Sequence, residues 1–187
     1  MADNLAYQED IREEMLDGKI IAMAPPAIRH NEISFNIALA FKSFLRGKPC
    51  KAYSDGVAAY LTEKDYVVPD AMIVCNKDII KADGIHGTPD LIVEVLSPGT
   101  KKNDRGYKRK LYESCGVREY WIVTPLDETI EVYLLENGEY RLDEIYQAVP
   151  EQTIFLPGER EKYKDAVKVS LYGDFFIPLD DIFGNPF

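Results

Sequence analysis

The sequence predicts one α/β domain built on a mixed, strongly twisted β-sheet with helices packed against it. Two apolar, β-branched runs at residues 66–75 and 89–98 have the length expected of buried strands. Apolar residues recur at helical spacing over 30–46 and 104–115. Of the 187 residues, 46% are hydrophobic and 29% are charged, as in ordinary globular proteins. We therefore expect residues 1–187 to fold as a single domain around one core.

The N-terminal part of the chain predicts two short elements and one long helix. Residues 7–16 carry apolar side chains on one side and predict a short helix, with Glu14 at the border of its apolar face. A strand-like run follows at 19–23. The next helix is predicted over 30–46, where Gly47 supplies a stop.

The middle of the chain alternates strands and turns. Residues 51–62 and 66–75 predict two strands joined by a turn at 63–65, and the polar stretch 76–88 predicts a loop before the strand at 89–98. The remaining predicted elements are a helix that begins at Asn103 or Asp104 and ends at Gly116, a strand over 118–124, a hairpin of 130–135 and 140–146 around Asn137-Gly138, and short strand-like pieces within 151–187.

Composition argues against several classes of protein. No apolar run approaches the roughly 20 residues of a membrane span, and the N-terminus lacks the basic start and apolar core of a signal peptide, so we expect a cytoplasmic protein with no membrane partner. Cys50, Cys75 and Cys115 are odd in number and widely spaced. That pattern favours small core hydrophobes over a disulfide framework or a zinc site.

Charge is distributed unevenly along the chain. The formal net charge of -10 argues against a protein that coats nucleic acid non-specifically, because phosphate binding depends largely on Lys and Arg. One basic island at residues 101–110 holds six Lys and Arg residues against the single acid Asp104. Such runs usually form a solvated helix face, and a phosphate contact is the functional alternative.

Glu94 is the most informative residue because it interrupts an apolar strand with a carboxylate. Burying an uncompensated carboxylate costs several kcal/mol, so Glu94 requires a lysine, a metal or a solvated cleft. Asp70 is embedded in the same way in the preceding apolar run. The two acids meet if their strands are neighbours.

A lysine lies on the apolar stripe of the predicted helix 104–115. Lys108 is three residues from Leu111 and four from Tyr112, so its stem follows the inward face of the helix. A lone lysine in such a place usually extends its ammonium to water, but two buried acids upstream make charge compensation the better interpretation. Paired carboxylates bind Mg²⁺, which polarises a phosphate and lowers the pKa of an attacking water. The layout therefore favours hydrolysis of a phosphodiester.

Six segments between about residues 10 and 125 form an ordered set. They are Glu14-Met15-Leu16-Asp17-Gly18, the stretch 23–30, Val68-Pro69-Asp70, Pro89-Asp90-Leu91-Ile92-Val93-Glu94-Val95-Leu96-Ser97-Pro98, Asp104-Arg105-Gly106-Tyr107-Lys108 and Gly116-Val117-Arg118-Glu119-Tyr120-Trp121-Ile122-Val123. Together they resemble the PD-(D/E)XK nuclease superfamily and, within it, a large bacterial family called putative restriction endonucleases.

The resemblance implies a restriction-endonuclease-like fold, with additional C-terminal β elements here. In the superfamily pattern a lysine stands two residues after the acid of the third core strand, but Leu96 occupies that position in this chain. The sequence is similar to the subset in which the lysine has moved to the following helix. The implied catalytic residues are Asp70, Glu94, Lys108 and Glu14, with Asp70 and Glu94 as ligands of Mg²⁺ or Mn²⁺.

Six further residues are weaker candidates for substrate binding. His30 opens a helix and suits either a capping role or a place on the active-site side. Asp90 lies four residues, about 13 Å along a strand, from Glu94, so we expect it to cap the strand entrance. Asp104 suits a helix N-cap. The basic residues of this group are Lys101, Lys102 and Arg105.

These observations predict a metal-dependent endonuclease that hydrolyses DNA and forms a homodimer. The alternative is a catalytically inactive module of the same fold that binds nucleic acid or a protein partner, which the charge of -10 favours. Two carboxylates alone would also suit a glycosidase, but the inward lysine does not help that reaction. Under the nuclease hypothesis, Lys108→Ala abolishes cleavage and leaves the fold intact.

Overall fold

The computed structural model describes residues 12–149 and 152–184. They form a six-stranded sheet, a five-stranded sheet and a small two-stranded sheet, with helices packed against them. The predicted mixed α/β class is confirmed. In chain order the elements are β1 (Glu13–Leu16), β2 (Lys19–Ala22), α1 (Ile28–Phe44), β3 (Lys51–Ser54), β4 (Ala59–Thr62), β5 (Asp65–Val67), β6 (Ala71–Val74), a 3₁₀ turn (Lys77–Ile79), β7 (Ile85–His86), β8 (Leu91–Val95), α2 (Lys101–Asn103), a π-helical segment (Asp104–Lys108), α3 (Arg109–Cys115), β9 (Glu119–Thr124), β10 (Thr129–Glu136), β11 (Glu139–Gln147), a second 3₁₀ turn (Arg160–Lys162), β12 (Ala166–Lys168), β13 (Phe176–Pro178) and α4 (Leu179–Phe183).

The six-stranded sheet, which we call the large sheet, has the strand order β11-β10-β9-β8-β6-β3. Only β8 and β9 pair in parallel, and the other neighbours are antiparallel. Successive side chains of a strand point to opposite faces. Leu91, Val93 and Val95 therefore join the core cluster that contains the inner side of α1, whereas Ile92 joins the cluster on the opposite face. Glu94 shares that second face, which α3 covers.

The five-stranded sheet, which we call the small sheet, has the order β2-β1-β5-β4-β7 and begins with a tight hairpin. Asp17 and Gly18 form its turn, both with positive φ, of 52° and 72°. Such a two-residue turn suits the twist of a β-hairpin. The helix predicted over 7–16 is therefore wrong for residues 13–16, and residues 7–11 lie outside the described residues. Glu14 is a strand residue with its side chain buried.

The helix after β8 also differs from its prediction. It begins with α2 rather than at Asn103 or Asp104, continues through the π-helical segment and ends in α3 at Gly116, whose φ is 84°. Asp104 is thus an interior residue of the helix rather than its N-cap. A π-helical turn holds an extra residue and is frequent at functional sites.

Two cysteines that we expected to be small core residues form a disulfide. Cys50 directly precedes Lys51, the first residue of β3, and Cys75 directly follows Val74, the last residue of β6. Lys51 and Val74 lie opposite each other, and the two cysteines are bonded to each other. Their separation of 25 residues in the sequence does not indicate that β3 and β6 pair in a way that brings them together. Cys115 is a free cysteine.

The C-terminal half agrees more closely with the sequence prediction. The hairpin around Asn137-Gly138 is confirmed as β10 and β11, with positive φ at both turn residues. The tail contributes β12, β13 and α4, and α1 contacts α4 through the bond from the Asn36 side chain to the Ile182 carbonyl. Within the described ranges, no helix combines the length and the apolar character that crossing a membrane requires.

Glu119, at the start of β9, connects the C-terminal segment to the large sheet. It is fully buried and accepts hydrogen bonds from Trp121 Nε1 at 2.7 Å and from the Ser170 amide at 2.9 Å. Burial raises the pKa of Glu119 from 4.5 to about 7, although these donors oppose the shift.

Because the folded protein binds this proton more tightly than the unfolded chain does, rising pH should destabilise the fold between the two pKa values of Glu119. From this group alone, the free energy of unfolding should fall by about 3 kcal/mol between pH 4.5 and about 7. Urea unfolding of the metal-free protein across this range measures the effect. Glu119→Gln should flatten the pH dependence, and an unchanged slope would contradict the assignment.

Candidate active site

Four predicted catalytic residues converge in one cleft of about 370 Å³. Glu14 comes from β1 of the small sheet, Asp70 directly precedes β6, Glu94 comes from β8, and Lys108 comes from the π-helical segment. All four side chains are buried. Residues from four places in the chain, two of them on strands of the two different sheets, thus meet in this cleft.

Lys108 is the centre of the charge network in the cleft. Its Nζ donates to Glu14 Oε1 at 2.7 Å and to Glu94 Oε1 at 3.1 Å, and it lies 3.6 Å from Asp104 Oδ1. Burial by itself lowers the pKa of Lys108, but the three carboxylates outweigh it and raise that pKa above its usual range. Lys108 is therefore a fixed cation and does not supply a base.

Glu94 is held by two donors on one oxygen. Its Oε1 accepts from Lys108 and from the hydroxyl of Tyr112, the latter at 2.5 Å. Among the described residues, Oε1 is the only oxygen of Glu94 that receives hydrogen bonds, so Oε2 is left for another ligand. Burial raises the pKa of Glu94 well above 4.5, and the charge of Lys108 opposes that rise.

Asp70 connects α1 to β8. Its Oδ1 lies 2.8 Å from Nε2 of His30, and its Oδ2 accepts the backbone N–H of Val95 at 2.7 Å. Val95 directly follows Glu94, so the two acids lie on adjacent strands with their carboxylates at the same cleft. Burial alone lowers the pKa of His30, but the hydrogen bond to Asp70 and the surrounding carboxylates raise it overall.

Asp104 is a buried carboxylate that accepts no hydrogen bond from the part of the chain that the structure describes. Its side chain is 1% exposed, lines the cleft, and neither oxygen accepts a hydrogen bond within the described residues. Burial raises the pKa of Asp104, and the charge of Lys108 opposes this. The predicted N-cap role is wrong, because the helix begins before Asp104 and the side chain points inward.

The donor set of the cleft suits a hard divalent cation. Lys108 contacts the carboxylates of Glu14, Glu94 and Asp104, and Asp70 and Asp55, the latter paired with Arg12, also line the cleft. Mg²⁺ and Mn²⁺ prefer oxygen ligands, and Mg²⁺ is commonly held by one or two carboxylates together with substrate phosphate and water. No group of three or more His, Cys, Asp or Glu side chains in the described part of the chain forms a ready metal cluster. Asp70 and Glu94 therefore fit a cation that substrate oxygens complete.

The weaker candidates divide into two groups. His30 lines the cleft. Lys101 and Lys102 are exposed at the start of α2, directly after Thr100, which also lines the cleft. The other two, Asp90 and Arg105, do not line the cleft.

Asp90 and Arg105 have partners within the protein, and their role in substrate binding stays a prediction. Asp90 accepts the Cys75 amide at 2.7 Å and lies 3.3 Å from Arg118, so it ties strands together at the entrance of β8. Arg105 donates two hydrogen bonds to Glu131, at 3.0 and 2.6 Å.

Tyr112 is a member of the charge network that sequence reasoning missed. The sequence places it on the apolar stripe of the helix, yet its hydroxyl donates to Glu94. The signal was present in the chain, because Tyr112 lies four residues after Lys108 and so shares its face. Arg12 and Asp55, which pair at the cleft, were also missed.

The chain is similar in sequence to a known family and to two proteins of Synechocystis. Over residues 2–164 the chain matches the Uma2 family, described as putative restriction endonuclease. It is 32% identical over 133 residues to an uncharacterized protein of Synechocystis, covering 69% of this chain and 70% of that protein. A second uncharacterized Synechocystis protein is 23% identical over 138 residues, covering 71% and 78% of the two chains.

A solved structure is similar in fold. It is the crystal structure of a putative nuclease belonging to DUF820 from Anabaena variabilis, with a TM-score of 0.65 and 18% identity over 91% of this chain and 89% of that chain. At this identity the likeness shows a shared fold and does not establish a shared reaction. With the family match over most of its length, the chain belongs to the Uma2 family of putative restriction endonucleases.

Proposed function

We propose that this protein is a metal-dependent endonuclease that hydrolyses phosphodiester bonds of DNA. The observation that carries the proposal is the convergence of two acids from adjacent strands, Asp70 and Glu94, with the fully buried cation Lys108 in one cleft. A divalent cation bound in the cleft would neutralise the excess of buried carboxylates and would bind the substrate phosphate. Membership of the Uma2 family supports nuclease chemistry in general.

Each residue of the cleft has a separate role in this proposal. Asp70 and Glu94 hold Mg²⁺ or Mn²⁺, which when bound polarises the phosphate and lowers the pKa of the attacking water. Lys108 keeps its proton, fixes the orientation of Glu94 and stabilises negative charge that develops on the phosphate. Glu14, bonded through Oε1 to both Lys108 and the Val68 amide, is held in place to position the water.

The substrate is proposed to reach the cleft past the start of α2. Lys101 and Lys102 are exposed there, next to the loop of Ser97 and Thr100 that lines the cleft. Exposed lysines suit contacts with DNA phosphates, which position the DNA without recognising its base sequence. The net charge of -10 makes such local contacts necessary, because the chain as a whole repels DNA.

That same charge favours the second candidate function, a catalytically inactive module that binds nucleic acid or a protein partner. The two candidates differ in their dependence on divalent cations. An enzyme of the proposed kind should gain thermal stability from Mn²⁺ through Asp70 and Glu94, whereas an inactive binding module should not.

Glu94→Gln tests the proposed function. The amide oxygen can still accept from Lys108 and Tyr112, so the fold should be kept, but the carboxylate ligand is lost. We expect the parent protein to cleave plasmid or single-stranded DNA with Mg²⁺ or Mn²⁺, and Glu94→Gln to show no cleavage and no stabilisation by Mn²⁺. Glu139→Gln, an exposed change on β11, is the matched control for preparation and folding.

The outcomes of this assay separate the candidates. Equal cleavage by parent and Glu94→Gln would indicate a contaminating nuclease and remove the support for catalysis by Glu94. Absence of both cleavage and Mn²⁺ stabilisation in the folded parent would favour the inactive binding module.

Tyr112→Phe should weaken cation binding without removing a ligand. The change deletes one of the two donors that hold Glu94 Oε1, and the loss of an outer hydrogen bond of this kind typically lowers metal affinity about 10–100-fold. Titration with Mn²⁺ by calorimetry measures the effect. Tyr140→Phe is the control, because the buried Tyr140 donates its hydroxyl to the Val117 carbonyl instead. Equal affinity loss in both variants would contradict a specific role for Tyr112.

A further inference from the structure

The outward face of α1 carries an exposed apolar stripe. Ile28, Phe35 and Leu39 are 80, 60 and 52% exposed, whereas Ile33 and Ile37 on the inner side of the helix are fully buried. At 3.6 residues per turn, the three exposed residues lie within about 40° of one another around the helix. Exposed apolar residues gathered on one face of a helix are a feature of interaction surfaces.

The charges that flank this stripe are self-complementary. Phe35 and Leu39 each lie two residues from position 37, and Glu32 and Lys42 each lie five residues from it. If two α1 helices pair antiparallel about a two-fold axis at position 37, Phe35 of one copy faces Leu39 of the other. Glu32 of each copy then faces Lys42 of the other copy.

Two pairs on α1 therefore share one centre, Phe35 with Leu39 and Glu32 with Lys42. A two-fold interface requires each surface patch to complement itself, and a patch for a foreign partner has no reason to show this symmetry.

The charged residues are available for such pairing. Lys42 is exposed and forms no ion pair within residues 12–149 and 152–184. Among the described residues, the only ion-pair contact of Glu32 is at 3.9 Å with Arg29. Arg29 is itself bonded to Glu128 at 2.7 Å and to the Phe183 carbonyl at 2.6 Å. Glu32 can therefore take a new partner without breaking a strong bond.

We propose that the outward face of α1 is a self-association surface, on which a second copy of this chain binds antiparallel through its own α1. His30 points from the opposite side of α1 to Asp70, so both clefts stay open in the dimer. The 17 residues of α1 span about 25 Å. One helix face buries less than the roughly 800 Å² per partner of a standard interface, so we expect a reversible dimer of micromolar affinity. The proposal does not depend on nuclease activity.

Sedimentation velocity of the full chain over a concentration series tests the proposal through charge reversal. Glu32→Lys and Lys42→Glu each create two like-charged pairs across the two-fold axis, and each should weaken the dimer at least about tenfold. The double variant, with both reversals, restores opposite charges and should recover the parent affinity. Leu39→Asp places two charges at the centre and should leave only monomer, while Leu126→Asp, at an exposed site outside α1, should not.

Three results would overturn the proposal. They are a parent protein that is monomeric at every concentration up to about 100 µM, a dimer that Leu39→Asp does not dissociate, and a double variant no tighter than the single reversals. All substituted positions are surface sites, and circular dichroism confirms that each variant is folded before its mass is measured.

Discussion

Lys108→Met is expected to abolish metal-dependent cleavage and to lower the free energy of unfolding by about 3–5 kcal/mol. Lys108 is 2% exposed and, within residues 12–149 and 152–184, is the only lysine that contacts the carboxylates of Glu14, Glu94 and Asp104. Removing it leaves buried negative charge that must either remain uncompensated or take up protons. This geometry replaces the sequence-based expectation that a Lys108 variant leaves the fold intact.

Urea unfolding with and without Mn²⁺ measures the two parts of this effect. In the presence of a chelator the variant should show its full loss of stability, and Mn²⁺ should restore part of it by supplying positive charge to the same carboxylates. Lys110→Met is the matched control, since Lys110 is exposed on the same helix. Cleavage at the parent rate would remove Lys108 from the mechanism, and unchanged stability would show that its charge does not balance the cluster.

Asp70→Asn is expected to eliminate cleavage and Mn²⁺ stabilisation while changing the free energy of unfolding by less than about 1 kcal/mol. The asparagine oxygen can still accept the Val95 amide, and its NH₂ group can face Nε2 of His30, so both contacts of Asp70 have a neutral counterpart. The negative charge of the proposed ligand is what disappears. The fall in Mn²⁺ affinity should exceed the roughly 10–100-fold cost of changing an outer partner.

Asp90→Asn is the control for this prediction. Asp90 also directly precedes a strand and also accepts a backbone amide, that of Cys75, but it does not line the cleft. Its variant should keep cleavage and Mn²⁺ stabilisation. If Asp70→Asn were stabilised by Mn²⁺ as strongly as the parent, Asp70 would not be a ligand.

The sequence alone identifies the main residues of the site, because each of them places a charged side chain in an apolar element. Glu94 and Asp70 stand out because apolar strands rarely carry acids without compensation, and Lys108 stands out because it shares a helix face with Leu111 and Tyr112. The structure places all three in one cleft. Local pattern is informative here because the periodicity of an element determines which side chains share a face.

Features that depend on the pairing of strands far apart in the chain could not be predicted from the sequence. The short run 13–16 suits a helix or a strand equally, and only its pairing with 19–22 and 65–67 settles the matter. Cys50 and Cys75 are brought together by the alignment of β3 with β6, which no spacing encodes. Asp104 is not the N-cap that the sequence predicts, because the helix already begins at Lys101.

The contact of Lys108 with acids from both sheets has a consequence for cooperativity. Glu14 belongs to the small sheet and Glu94 to the large sheet, and one ammonium group bonds both. The small sheet cannot swing open without separating buried charges, so partial unfolding that detaches β1 is coupled to loss of the cleft. The two sheets should therefore unfold together, and the cleft exists only while they are packed against each other. The buried charge cluster thus makes both sheets part of one cooperative folding unit.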